Sequence, residues 1–202
     1  ADPYGRATEH RPRRCRTANP RPQQRMPAEK DSAYGRGDTG PAGEIAAPNL
    51  PYQPRASGTY RPAIGLIGCG GISEMHLRAY INAGYEVAAL CSRDRERVEK
   101  RREEFYPQAD TYLDYRELLA RDDIAVVDIT PHPEERVPIL EAAIDAGKHI
   151  LSQKPFVVDL DVGEELVARA EARGVKLAVN QNGRWAPHFS YMRQAVAAGL
   201  VG

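Results

Sequence analysis

Gly68, Gly70 and Gly71 interrupt an apolar run, Ile64-Gly65-Leu66-Ile67, and a helical pattern beginning at Ile72 and Ser73 follows at once. A buried strand that breaks into glycines and then opens a helix is built to cradle phosphate. A dinucleotide's pyrophosphate approaches a backbone where no Cβ stands in the way, which is the work of Gly68 and Gly70. Free N–H groups and the positive end of the helix starting near Gly71 then hold it. Ser73 stands where this pattern usually has Gly or Ala, and it is still small enough for close packing of helix on strand. A glycine turn by itself also fits an ordinary tight turn, so the surrounding elements decide.

Those elements alternate from Pro62 onward. Strand one is Ala63–Ile67, and the helix after it carries Ile72, Met75, Ala79 and Tyr80 at helical spacing until Asn82-Ala83-Gly84 stops it. Strand two, Glu86–Cys91, is a continuous apolar run of the kind buried on both faces of a parallel sheet. A charged helix at Arg95–Phe105, a weak strand at Ala109–Tyr112 and a helix at Tyr115–Ala120 come next. Strand four is Ile124–Thr130, followed by a helix from Glu134 to Ala146 with Pro138 in its first turn and Gly147 as its stop. Strand five, His149–Ser152, a helix at Asp161–Ala172, strand six at Lys176–Val179 and a helix at Pro187–Ala198 complete the pattern. Six strands alternating with helices predict an α/β fold with a doubly wound parallel sheet, a Rossmann dinucleotide-binding domain over residues 59–186. Ligands in such sheets lie at the carboxyl ends of the strands.

Residues 1–58 show neither helical nor strand periodicity and are rich in Pro, Arg, Gly and small polar residues, so they predict a disordered or loosely draped tail. Seven arginines precede Met26, but the chain as a whole balances 28 basic against 28 acidic residues, so no net field draws it to nucleic acid or an anionic membrane. Arg13-Arg14 has no apolar segment behind it, which argues against export, and no apolar run approaches the roughly 20 residues needed to span a bilayer. Cys15, Cys69 and Cys91 form neither a C-x-x-C pair nor a metal cluster with the five histidines. They read as small buried residues in a reducing cytoplasm, with no metal expected.

The strand ends carry Gly68-Cys69-Gly70-Gly71-Ile72, Cys91 to Asp94, Thr130-Pro131-His132-Pro133, Gln153-Lys154-Pro155 and Asn180 to Trp185. In this order, together with Glu141–His149 as EAAIDAGKH, they resemble the Gfo/Idh/MocA oxidoreductase family, named for glucose–fructose oxidoreductase and inositol dehydrogenase. The resemblance covers roughly Arg61 to Gly202. It implies a Rossmann domain followed by an α/β domain on a large open sheet, which binds substrate and mediates homo-oligomerisation. Residues 187–202 would lead into that second domain, whose first strand would begin near Gly202. The implied activity is hydride transfer between a nicotinamide and a secondary alcohol or ketone of a sugar, cyclitol or related polyol.

Strand two of such a fold normally ends in an acidic residue that bonds the ribose hydroxyls of NAD. Ser92-Arg93 stands there instead, and a hydroxyl beside a guanidinium suits the 2′-phosphate of NADP. NAD is the alternative, served by Asp94 one residue on. Lys154 matches the lysine of the family's Glu-Lys-Pro motif, which lies near the nicotinamide ribose and the substrate hydroxyl and assists its proton transfer. Gln153 replaces the family's Glu, which removes an ion pair beside Lys154. The resemblance also places Gly71, Ile72, Thr130, Pro131, Asn180, Arg184 and Trp185 along the cofactor, although Trp185 would equally serve as core packing for Pro187 and Phe189. His132 reads as part of a rigid Pro-His-Pro turn, and His76 and His149 as structural. The family's acid–base His and its Asp belong to the second domain. A non-catalytic dinucleotide sensor and an NAD-dependent glycosidase are the other activities known among relatives.

Overall fold

In the computed structural model, residues 46–54 and 58–200 are described. The expectation of disorder for residues 1–45 and 55–57 falls outside them. The chain divides into a unit ending at Ala47 and another from Pro48 to Gly202, and the fold described below is that of the second.

Its elements run β1 (Ala63–Ile67), α1 (Gly71–Ala83), β2 (Val87–Cys91), α2 (Arg95–Phe105), β3 (Asp110–Tyr112), α3 (Tyr115–Leu119), β4 (Ile124–Ile129), α4 (Pro133–Asp145), β5 (His149–Gln153), α5 (Leu160–Ala172), β6 (Leu177–Asn180), α6 (Asn182–Trp185) and α7 (Pro187–Ala197). Local chemistry sets several of the boundaries. Asp94, Asp114 and Asp159 each sit just before a helix and accept a hydrogen bond from a first-turn backbone N–H, while Pro133 opens α4, where its missing N–H leaves no donor unsatisfied.

All six strands are parallel, in the order β3-β2-β1-β4-β5-β6. The chain reverses direction across the sheet between β1 and β4, so the crevice at their carboxyl ends is the topological switch point. Two apolar layers flank the sheet. Ile64, Leu66 and Leu90 pack with Leu77 of α1 and Val98 of α2, while Ile67, Val127 and Ile129 pack with Leu118, Leu140, Ile144 and Leu166 of α3, α4 and α5. Such a layer on each face is what continuous apolar strands require.

Several element ends differ from the sequence reading by a residue, and Pro138 lies inside α4 rather than in its first turn; three further departures matter more. First, β5 and β6 each run one residue further, so Gln153 and Asn180 are paired with each other in the sheet rather than lying beyond it. Their polar side chains have buried partners, which sequence polarity does not reveal. Second, Asn182–Trp185 forms a single helical turn, closed by Arg184 N–H to Gln181 O at 2.9 Å. Third, ordered packing begins before residue 59. Tyr191 Oη donates to Pro48 O at 2.8 Å, Ser190 Oγ donates to Tyr52 O at 2.5 Å, and the rings of Tyr52 and Tyr191 meet edge-on at 5.6 Å. One aromatic residue anchors this strap, too little to lift the polar average of residues 1–58.

Candidate functional site

The glycine turn leaves β1 at the switch point. Gly68 has φ +100°, and a Cβ there would lie 2.6 Å from Thr130 Oγ1 and 2.8 Å from Pro131 Cδ. Thr130 Oγ1 donates to Gly68 O at 2.6 Å. Gly68 is therefore needed for its backbone conformation and for packing of the β4 loop. At Gly70 and Gly71 a Cβ would meet nothing within 4 Å, so open space lies before both. Gly70 caps α1 without a side-chain bond; Ser73 N–H donates to Gly70 O at 3.3 Å, while the N–H groups of Gly71 and Ile72 come too early in the helix for an intrahelical acceptor. Ser73 is fully buried and its hydroxyl donates to Gly70 O at 2.6 Å, which fixes the turn from beneath. Cys69 and Cys91 are neighbours in the core, with Cys69 Sγ 3.7 Å from Cys91 O, and burial pushes both thiols up to about 12.

A cavity of about 190 Å³ opens beside this turn, lined by Cys69, Gly70 and Gly71 together with Arg97, Lys100 and Arg101 of α2. Each of the three cations has a carboxylate near it: Asp94 for Arg97, Glu104 for Lys100, and Glu74 with Glu104 for Arg101. At the end of β2, Ser92 Oγ accepts from Asp94 N–H at 3.2 Å, and Asp94 caps α2 while pairing with Arg97 Nε at 3.0 Å. Arg93, highly exposed, pairs with Glu135 of α4 at 2.6 Å. Open backbone at a helix start beside a basic wall fits the diphosphate of a dinucleotide.

On the other side of the switch point, β4, β5 and β6 bring polar groups together. Asp128, wholly buried, accepts from His76 Nδ1 at 2.6 Å and from Tyr80 Oη at 2.7 Å, both at Oδ2. Burial, reinforced by Asp128, drives the Tyr80 hydroxyl pKa far upward. His76 Nε2 lies 3.2 Å from Gln153 Nε2 and 3.1 Å from Asn180 Nδ2. Gln153 Oε1 accepts the backbone N–H of Lys154 at 2.6 Å, so the glutamine that replaces the family's Glu serves the lysine's main chain. Lys154 itself is exposed, in a cis peptide with Pro155.

Arg136, almost wholly buried, donates to the carbonyls of Pro131, Gln153, Pro155 and Phe156. Burial lowers its pKa, and four carbonyl oxygens solvate the charge. The carbonyls on either side of Lys154 are thus tied to the start of α4.

The family model described as an oxidoreductase family with an NAD-binding Rossmann fold, Gfo/Idh/MocA, matches residues 63–181. The chain belongs to this family. Among curated relatives, D-apiose dehydrogenase of Paraburkholderia graminis is 34% identical over 138 residues, covering 68% of this chain and 36% of its own length. Among solved structures, an oxidoreductase from Agrobacterium radiobacter in complex with NAD+, L-tartaric acid and magnesium superposes with a TM-score of 0.67 at 26% identity, covering 71% of this chain and 42% of that one. A 3-ketoreductase from Actinomadura kijaniata in complex with NADP and TDP-benzene gives 0.64 at 29% identity, covering 71% and 44%. The chain thus spans about two fifths of the length of these Gfo/Idh/MocA relatives.

Within this Gfo/Idh/MocA domain, the sequence-predicted residues fall into two clusters on either side of the switch point. Gly70, Gly71, Ile72, Ser92 and Arg93 gather around the glycine turn and the end of β2, with Thr130 and Pro131 bracing Gly68. Gln153, Lys154 and Asn180 gather at the ends of β5 and β6, with Arg184 and Trp185 on the turn that follows. Trp185 is 57% and Phe189 53% exposed, so neither is packed into the core of the chain described. His132 is the exposed N-cap of α4 and makes no side-chain capping bond. Among the described residues no group of three or more His, Cys, Asp or Glu could hold a metal, and no helix is long and apolar enough to cross a membrane.

The sequence reading missed Arg97, Lys100, Arg136 and the partnership of His76 with Asp128. Two of these had a signal. Arg136 lies on the α4 face that also carries Ile139, Leu140 and Ala143, so its charge had to be buried. Asp128 is the one acid in the apolar run Ile124–Ile129, and a buried carboxylate requires donors.

Proposed function

We propose that this chain is the cofactor-binding half of an oxidoreductase that moves hydride between NADP and a secondary alcohol or ketone on a sugar, cyclitol or related polyol. The cavity beside Gly70 and Gly71, walled by Arg97, Lys100 and Arg101, carries the reading. In it the first-turn N–H groups of α1 hold the diphosphate, and the α2 cations with Ser92 and Arg93 receive the 2′-phosphate. Asp94, the acid that would serve NAD, caps α2 through the Arg97 N–H, and Ser92-Arg93 stands where that acid usually lies, which favours NADP over NAD.

When bound, the nicotinamide supplies the hydride donor or acceptor. The protein's part is positioning and charge. Lys154 presents an ammonium at the end of β5, where it stabilises negative charge developing on the substrate oxygen and passes a proton to or from it. Gln153 and Arg136 hold the lysine's backbone in place from both sides. Substrate contacts, an acid–base His and assembly into homo-oligomers would come from a second domain, as in the family at large. D-apiose dehydrogenase among the relatives supports a sugar-like substrate.

Calorimetric titration of this chain with NADPH and, separately, NADH tests the cofactor assignment. Saturable binding with NADPH tighter is expected. Tighter NADH would return the ribose to Asp94, and binding of neither by a chain that circular dichroism shows to be folded would overturn the nucleotide reading.

A further inference from the structure

The side chains around His76 define a direction for every hydrogen bond among them. Nδ1 lies 2.6 Å from the Asp128 carboxylate, which can only accept, so Nδ1 carries a proton. Gln153 has its orientation set independently, because its Oε1 takes the Lys154 backbone N–H and its Nε2 must therefore face His76. An amide nitrogen donates, so the imidazole Nε2 is a lone pair. Asn180 Nδ2, at 3.1 Å, shares that lone pair with Gln153, because the amide oxygen turned the same way would set two acceptors face to face.

The consequence is that Asn180 Oδ1 points away from His76. No hydrogen bond to it is made among the described residues, and it is not one of the enclosed polar atoms left without a partner, which are Arg102 Nε and Asp128 Oδ1. Asn180 is the last residue of β6, half-buried, and paired in register with Gln153, next to Lys154. It offers an open acceptor at the carboxyl ends of β5 and β6, the side of the switch point opposite the basic cavity. With the diphosphate at α1 and the adenosine half toward β2, the nicotinamide half lies on this side. Its carboxamide carries an N–H donor.

We propose that His76, held by Asp128, is a positioning residue that turns the side-chain oxygen of Asn180 into the nicotinamide end of the cleft, where it accepts a hydrogen bond from the cofactor's carboxamide N–H. The inference rests on the nucleotide reading above and adds a selectivity to it. A cofactor analogue with an acetyl group in place of the carboxamide keeps the carbonyl but has no N–H to give.

The test is calorimetric titration of the full chain with NADP+ and with its 3-acetylpyridine analogue, and with the corresponding NAD+ pair. The chain itself should prefer the carboxamide form by about three- to tenfold, the worth of one neutral hydrogen bond. Asn180→Ala should abolish that preference by weakening the carboxamide form alone. His76→Asn reaches Asp128 but not the two amides, and should abolish it too. His76→Gln places an oxygen near the position of Nε2, and should restore it. A preference that persists in Asn180→Ala or in His76→Asn overturns the proposal, as does a parallel loss for both cofactor forms, which would make His76 a packing residue only. A folded chain that binds none of the four compounds removes the nucleotide reading itself, and the inference with it.

Discussion

Arg93, at the end of β2, reaches Glu135 in the first turn of α4, with 2.6 Å between guanidinium nitrogen and carboxylate oxygen. β1 lies between β2 and β4 in the sheet, so the pair spans the strand that ends in the glycine turn. Arg93 therefore already has an anionic partner, with which the 2′-phosphate of the proposed cofactor would have to compete.

Releasing Arg93 from that competition should favour the phosphorylated cofactor. Exposed ion pairs are worth up to about 1 kcal/mol, so Glu135→Gln is expected to tighten NADPH by about two- to fivefold and to leave NADH unchanged. Arg93→Ala should weaken NADPH and spare NADH. Calorimetry on the two variants reads both, and equal effects on the two cofactors would show that Arg93 does not discriminate between them.

Gly68 and Gly70 should separate stability from binding. Gly68→Ala combines a positive φ with a Cβ pressed against Thr130 and Pro131, and is expected to destabilise the fold by about 2–4 kcal/mol. Gly70 has φ −77° and open space before it, so Gly70→Ala should cost no more than about 1 kcal/mol, the difference between glycine and alanine as an N-cap. It should nevertheless weaken dinucleotide binding at least about tenfold, or about 1.4 kcal/mol, because the new methyl group occupies the phosphate's path. Urea denaturation and titration of each variant distinguish the two roles. Normal nucleotide affinity in Gly70→Ala would place the phosphate elsewhere.

Lys154 is expected to act on turnover rather than affinity. In a protein that joins this chain to a substrate-binding domain, Lys154→Ala should lower kcat by about two orders of magnitude or more while the cofactor Kd changes little. Steady-state kinetics with a binding assay gives the comparison, and unchanged turnover would make the lysine a spectator.

The two core thiols give a pH dependence with a definite sign. Folding raises Cys69 and Cys91 from the ordinary value of 9.0 to about 12, chiefly by burial. Unfolded chains lose these protons first, so the contribution to stability is intact below about pH 9 and falls as pH rises toward 12. In the folded protein at pH 8 both thiols are protonated, and iodoacetamide should modify them at the rate of global unfolding. Rapid labelling of Cys69 or Cys91 without denaturant, told apart from Cys15 by peptide mass mapping, would show that the core opens locally.

Much of the fold was legible before any coordinates. Continuous apolar strands must be buried on both faces, helices need caps and stops, and both requirements are met within short stretches, so β1, α2 (Arg95–Phe105 as predicted) and the strand alternation could be read directly. The glycine turn was visible for the same reason. The family could be named because its motifs, too, are local.

What the sequence alone determined was thus the α/β alternation, the glycine turn between β1 and α1, and the place of Lys154 at the end of β5. Tertiary structure decided what holds them. His76, Asp128, Gln153 and Asn180 come from four elements separated by as many as 104 positions, and the parallel register of β4, β5 and β6 brings them into one network. Arg136 meets the carbonyls beside Lys154 because α4 starts where β4 ends, next to the end of β5. Arg97 and Lys100 face Gly70 only once α2 packs beside α1. A buried polar group is satisfied by whichever partner the fold delivers, and no periodicity in the chain encodes that partner's identity.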